Sequence, residues 1–176
     1  MHDNTVFPKI SRLSRDMVIT EKIDGTNGRI LIGEDGSIRA GSKGQWLTLE
    51  QDNFGFCKWV MENKECLLLL GPGIHFGEWW GPGINKRKYP VENKRFSLFN
   101  VSRWKAGVPP CCDIVPILYQ GSFSTVVVDE ILNALIEHGS VACPGFKNPE
   151  GVVIFHKAGG HLYKKTIEKD SEPKGL

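Results

Sequence analysis

A chain of 176 residues, 40% apolar and 24% charged, has the size and composition of one globular domain with a real core, and nothing in it suggests disorder. Its formal net charge of +2 is too small to identify a nucleic-acid binder by itself, because that inference needs a basic stripe. It carries no signal-peptide stretch and no apolar run long enough to span a bilayer, so it reads as a cytoplasmic protein without membrane contact. In chain order, Val18-Ile19, residues 29–32 and residues 37–40 read as short strands, with Gly33-Glu34-Asp35-Gly36 as a turn. Residues 52–63 fit a helix capped by Asp52 or Asn53, with Phe56, Trp59 and Val60 facing the core. Residues 74–79, 96–101, 113–118 and 152–155 follow as strands separated by Gly, Pro and Asn clusters. Val128, Ile131, Leu132 and Leu135 recur at helical spacing, which predicts a helix capped by Ser124 or Thr125, with Asp129 and Glu130 in its first turn and Gly139 as its stop. Strands outnumber helices without alternating with them, so the fold class is α+β built on antiparallel sheet. Residues 1–170 read as one domain and 171–176 as a frayed tail.

Cys57, Cys66, Cys111, Cys112 and Cys143 are odd in number and have no C-x-x-C spacing, so they read as reduced thiols, with neither a disulfide framework nor a zinc site. His75, His156 and His161 show no ligand spacing with them and read as structural or surface residues.

The stretch Thr20-Glu21-Lys22-Ile23-Asp24-Gly25-Thr26-Asn27 sets a lysine at a strand end, between two carboxylates and just before a glycine. A lysine is a nucleophile only where desolvation or neighbouring positive charge lowers its pKa, so Lys22 needs special surroundings to be more than a solvated cation. Downstream come His75-Phe76-Gly77-Glu78-Trp79-Trp80-Gly81, Arg95-Phe96-Ser97-Leu98-Phe99-Asn100-Val101, Pro149-Glu150-Gly151-Val152-Val153-Ile154 and Leu162-Tyr163-Lys164-Lys165-Thr166. This ordered set, from about Glu21 to Lys165, resembles the covalent nucleotidyltransferase superfamily of RNA ligases, DNA ligases and mRNA-capping enzymes. The stretches around Lys22 and Glu78 most resemble the RNA-ligase branch.

The resemblance implies two antiparallel sheets flanked by helices, similar to an ATP-grasp arrangement, with a nucleotide in the cleft between them. It implies that Lys22 attacks the α-phosphorus of ATP and that Glu21 helps recognise adenine. Gly25 would let the backbone turn closely beside the nucleotide, and Asn27 would offer it polar groups. Asp24, two residues beyond Lys22 on an extended chain, would share its side and orient the ammonium. Lys43 stands where the family has the arginine of a serine-arginine pair; it keeps the charge but loses the planar fork, and Arg39 is the candidate substitute. Glu78 is implied in binding the ribose hydroxyls and Phe99 in stacking on the purine, although Phe99 equally suits a core. Asn100 replaces the family's usual aspartate, so no charged role passes to it. Glu150 is implied as the carboxylate that organises Mg²⁺ or Mn²⁺ through water. Lys164 and Lys165 occupy the place of a K-x-K pair on the α-phosphate; adjacent strand residues face opposite ways, which favours Lys164 and leaves the register open. Trp79 and Trp80 would also face opposite ways, and neither is assigned a role.

The basic loop with Lys86, Arg87 and Lys88 is either solvated or holds phosphates of an RNA end or of the leaving pyrophosphate. The function implied is an ATP-dependent RNA ligase that forms lysyl-AMP, passes AMP to a 5′-phosphate and seals with a 3′-hydroxyl. The expected state is a monomer without a separate oligonucleotide-binding-fold domain and with a nucleic-acid partner, and the sequence leaves open whether a further domain or subunit in trans helps to grip it. The alternatives are a capping-type guanylyltransferase and a non-catalytic nucleic-acid-binding relative, the latter suggested by Lys43, Asn100 and the adjacent lysines.

Overall fold

The structure, a computed structural model, describes residues 9–104, 106–168 and 170–171. From residue 172 on, the expected tail lies outside the described residues. In chain order the elements are β1 (Asp16–Lys22), β2 (Thr26–Ile32), β3 (Ile38–Gly41), α1 (Phe56–Glu62), α2 (Lys64–Leu67), a 3-10 turn (Leu68–Leu70), β4 (Gly73–Trp80) and β5 (Arg95–Leu98). There follow β6 (Asp113–Ile114), β7 (Ile117–Ser122), α3 (Thr125–His138), β8 (Gly151–His156) and β9 (His161–Thr166). One sheet runs β7-β1-β8-β9 and the other β3-β2-β4-β5-β6. Every pairing is antiparallel except β5 with β6, which is parallel. The α+β expectation holds.

The strand expected over 113–118 divides in two, β6 joining one sheet and β7 the other. Pro116, which has no N–H to give a ladder, sits at the break, and its carbonyl accepts from Glu21 N at 3.0 Å. This crossover ties the two sheets along one side.

Each sheet buries its outer face. On the second sheet, the cross-strand pair Gly28 and Gly77 faces α1; a side chain at either position would strike Phe96, and at Gly28 also Phe56. That space holds an aromatic cluster, with Phe56 5.1 Å from Phe96 and 5.4 Å from Trp79. α1 starts four residues later than expected because Phe54 (φ 53°) and Gly55 (φ 79°) are left-handed. Asp52 nevertheless caps it from a distance, its carboxylate accepting from Cys57 N at 2.7 Å and Lys58 N at 3.0 Å. On the first sheet, Val128, Leu132 and Leu135 of α3 pack on Met17, Ile19, Val152 and Ile154. Truncating such a buried leucine costs about 2–5 kcal/mol. Ser124 caps α3 through Val127 N, which leaves Asp129 and Glu130 beyond the first turn.

A third cluster, Ile23, Trp80, Tyr89, Val115 and Cys143, lies between the sheets. Trp79 and Trp80 thus face opposite ways and are both buried, at 2% and 1% exposure. The cysteine reading needs correction: Cys66 and Cys111 form a disulfide with Cα atoms 6.3 Å apart, while Cys57, Cys112 and Cys143 are free and buried. The pair is 45 residues apart in sequence, and only the docking of α2 beside the turn before β6 brings it together. Among the described residues, no helix is long and apolar enough to cross a membrane.

Candidate active site

The inner faces of the two sheets enclose a cleft of about 1070 Å³. Strand alternation decides what enters it. Along β1, Met17 and Ile19 are buried against α3 and Glu21 is buried against the loop after it while still bordering the cleft, and Val18, Thr20 and Lys22 line the cleft. β9 pairs Lys164 with Val153 and Lys165 with Val152. Lys164 therefore lies on the cleft side, whereas Lys165 turns away and pairs with Asp129 of α3. Thr166, two residues past Lys164, takes the next position on the cleft face, where a K-x-K pair would carry its second cation.

At the base, Lys22 Nζ lies 2.7 Å from Glu150 Oε2, both side chains about a fifth to a quarter exposed. On the facing sheet, Asn27 of β2 stands opposite Glu78 of β4. Burial pushes the Glu78 carboxyl up to about 7; the charges of Glu150 and Asp24 add to the rise, while Lys22 and the Gly25 N–H pull it back. Gly25 packs so closely on β4 that an added side chain would meet Trp79 backbone, Trp80 and Glu78. The glycine is needed for that approach to β4.

Two base residues are engaged differently from the sequence expectation. Asp24 accepts from Asn85 Nδ2 at 2.9 Å and pairs with Arg87 at 3.8 Å, and its N–H donates to Tyr89 Oη at 2.9 Å. Among the described residues its partners all lie in the 85–89 loop, and the Lys22 ammonium is not one of them. Glu21, 1% exposed, accepts from Ser140 Oγ at 2.5 Å and from the N–H groups of Val141 and Ala142 at 2.8 Å each. Its carboxylate anchors the loop after α3.

Phe99 leaves β5 at the strand end, 40% exposed, and lines the cleft beside Phe76, whose carbonyl accepts its N–H at 3.0 Å. Lys43 is exposed on the cleft rim. Arg39 is exposed on β3, outside the cleft lining, beside the ring of Trp46. In the basic loop, Arg87 pairs with Asp24 and Glu168 and donates to both the carbonyl and the side chain of Asn148. It braces the loop against the base, and Lys86 and Lys88 remain exposed. His75 and His156 are structural, each ring 2.8 Å from a backbone carbonyl. Sequence reading passed over Arg29, which lines the cleft; its place two residues beyond Asn27 on a strand was the available signal.

Among the described residues no group of three or more His, Cys, Asp or Glu is arranged to hold a metal ion. The carboxylates present, Glu78 and Glu150, suit a hard cation that takes its remaining oxygens from phosphate and water.

Two sheets facing across a cleft, with a lysine and carboxylates at its base, define the nucleotidyltransferase fold of RNA ligases. The chain belongs to the RNA ligase family, whose family model matches residues 15–166. Comparison with curated proteins gives no match. Among solved structures it is similar to a Naegleria gruberi RNA ligase mutant with ATP and Mn, at 18% identity and a TM-score of 0.66, over 89% of this chain and 51% of that one. A second mutant with AMP and Mn gives 18% identity and a TM-score of 0.64, over 88% and 50%. The same ligase with PPi gives 18% and 0.61, over 87% and 50%. The chain spans about half the length of these solved chains.

Proposed function

We propose that this chain is the adenylylating part of an ATP-dependent polynucleotide ligase, acting on RNA through a lysyl-AMP intermediate at Lys22. The observation that carries this reading is the Lys22–Glu150 contact at the base of a two-walled cleft, with Asn27 and Glu78 on the opposite wall. The Naegleria gruberi structures, which hold ATP or AMP with Mn, or PPi, agree with it.

Glu150, 2.7 Å from Nζ, takes the ammonium proton as the lysine nitrogen closes on the α-phosphorus. The N–P bond forms, the bond from the α-phosphorus to the bridging oxygen breaks, and pyrophosphate leaves with the electron pair. Lys164 and Lys43 supply positive charge to the phosphates from opposite walls. Phe99 stacks on the adenine, and Asn27 and Glu78 hold the sugar side. A divalent cation, Mg²⁺ or Mn²⁺, held by the phosphates and through water by Glu150, would neutralise charge developing on the phosphate oxygens. An oxygen of a nucleic-acid 5′-phosphate then displaces Nζ from the α-phosphorus, and the amine recovers its proton. Finally a 3′-hydroxyl attacks the 5′-phosphorus, the strand closes, and AMP departs.

Peptide mass spectrometry of the protein after incubation with ATP and Mn²⁺ tests the reading. One AMP residue on the peptide containing Lys22 is expected. A GMP adduct from GTP, with none from ATP, would move the reading to guanylyl transfer, and no adduct from either would contradict it.

A further inference from the structure

Arg29 of β2 and Arg39 of β3 point to the same face as Asn27 and Glu78, and the β2–β3 register, Arg29 with Gly41 and Arg39 with Leu31, makes them diagonal neighbours. Trp46, bridged to Gly41, lies against both, with the guanidinium carbons 4.2 Å and 4.6 Å from its ring centre. Gly41 makes this possible, since a Cβ there would strike both the Arg29 side chain and the Trp46 ring. Among the described residues neither guanidinium pairs with a carboxylate or donates a side-chain hydrogen bond, and Arg29 Nε is buried without a partner. Three arginines elsewhere are engaged: Arg95 with Asp113 at 3.7 Å, Arg87 with Asp24 and Glu168, and Arg103 with the Leu70 carbonyl at 3.1 Å, while Arg12 and Arg15, like this pair, have no side-chain partner among the described residues. Two like charges beside one ring repel each other. The electron-rich ring offsets part of that cost, and an oxyanion between them would remove the rest.

We propose that Arg29, Arg39 and Trp46 form a phosphate-binding platform for a single-stranded nucleic-acid segment at the mouth of the cleft. A guanidinium laid against an indole keeps its N–H edge free for phosphate oxygens. Positive charge interleaved with an aromatic ring is how proteins grip single strands without reading sequence. The position favours a polymer over a free nucleotide. β3 is the edge strand of its sheet, Arg39 is exposed and outside the cleft lining, and the lining itself already holds Lys22, Lys43 and Lys164. The proposal rests on the ligase reading for which strand arrives there, but binding is measured without turnover.

The test is binding of a fluorescent 5′-phosphorylated single-stranded RNA over a salt series, with ATP-dependent labelling of Lys22 followed beside it for Arg39→Ala and Arg29→Ala. Arg39→Glu, at an exposed position that leaves folding alone, is expected to weaken RNA binding about tenfold at low salt. Arg29→Ala and Arg39→Ala should each lower the salt slope by about 0.7, the share of one phosphate contact, and Arg29→Lys should retain that slope. Labelling of Lys22 in Arg39→Ala, whose side chain lies outside the cleft lining, should proceed at the wild-type rate. Unchanged RNA affinity and slope in Arg39→Glu would overturn the platform. So would a raised KM for ATP in Arg29→Ala with RNA binding intact, because the arginines would then serve the nucleotide's own phosphates. If the wild type is never labelled, the ligase reading fails, while loss of RNA binding in Arg39→Glu still upholds the platform.

Discussion

At the base of the cleft, charges are matched within the chain. Lys22 meets Glu150, Asp24 is held by Asn85 and Arg87, and the Glu21 carboxylate takes three hydrogen bonds from the loop after α3. At the mouth, Arg29 and Arg39 crowd the Trp46 ring, and among the described residues neither pairs with an acid. A base whose polar groups are fixed before any ligand arrives loses little to reorganisation when charge shifts during a reaction. A mouth with unanswered positive charge is arranged for a partner from outside. The same sheet supplies both, since Asn27 and Arg29 are two residues apart on β2.

Changes at the base should therefore be felt in chemistry and stability. The largest effect is expected from Glu150→Gln, which keeps the shape but removes the proton acceptor beside Lys22. Labelling of Lys22 by ATP should slow by about 10²-fold or more in single-turnover assays. Gly25→Ala would drive a methyl group into Trp79 backbone, Trp80 and Glu78, and the denaturation midpoint should report a loss of about 3 kcal/mol. Glu78 gives the pH signature. Its carboxyl sits at about 7 in the fold against an ordinary 4.5, so between those values the native state holds a proton that the unfolded chain has released. This residue thus makes stability fall as pH climbs from 4.5 to 7, and the loss persists above 7. Glu78→Gln should match the wild type at pH 4 and exceed it by about 2–3 kcal/mol at pH 8, read from urea melts at both values. The smallest effect is expected from Lys165→Ala. Its exposed pair with Asp129 contributes well under about 1 kcal/mol, so stability and labelling should stay near wild type, whereas Lys164→Ala should slow labelling about tenfold. Equal losses from both lysines would break the assignment of faces.

Much of this was legible locally. Short-range patterns place β1, β2, β4, β8 and α3, and Ser124 and Gly139 bound α3 as capping chemistry requires. Lys22 and Glu150, 128 residues apart, were assigned to one site only through motif resemblance, and their direct contact was not foreseen. What escaped was settled by long-range docking. Nothing near Glu21 reveals the loop 120 residues later that saturates its carboxylate, and nothing near Arg87 reveals Asp24, Asn148 and Glu168. The Cys66–Cys111 disulfide was hidden for the same reason. Trp46 escaped because its reach over β3 depends on the bare Gly41 beneath it, a packing fact that no periodicity carries. The Lys164 and Lys165 ambiguity closed once the β8–β9 register fixed which face each takes.

The most direct measurement is transfer of label from ATP carrying radioactive phosphorus at the α position, with Lys22→Ala beside the wild type on a denaturing gel. A labelled band that survives denaturation in the wild type and vanishes in Lys22→Ala is the predicted result. A band of equal strength in both, or in neither, would contradict the assignment of Lys22 as the nucleophile.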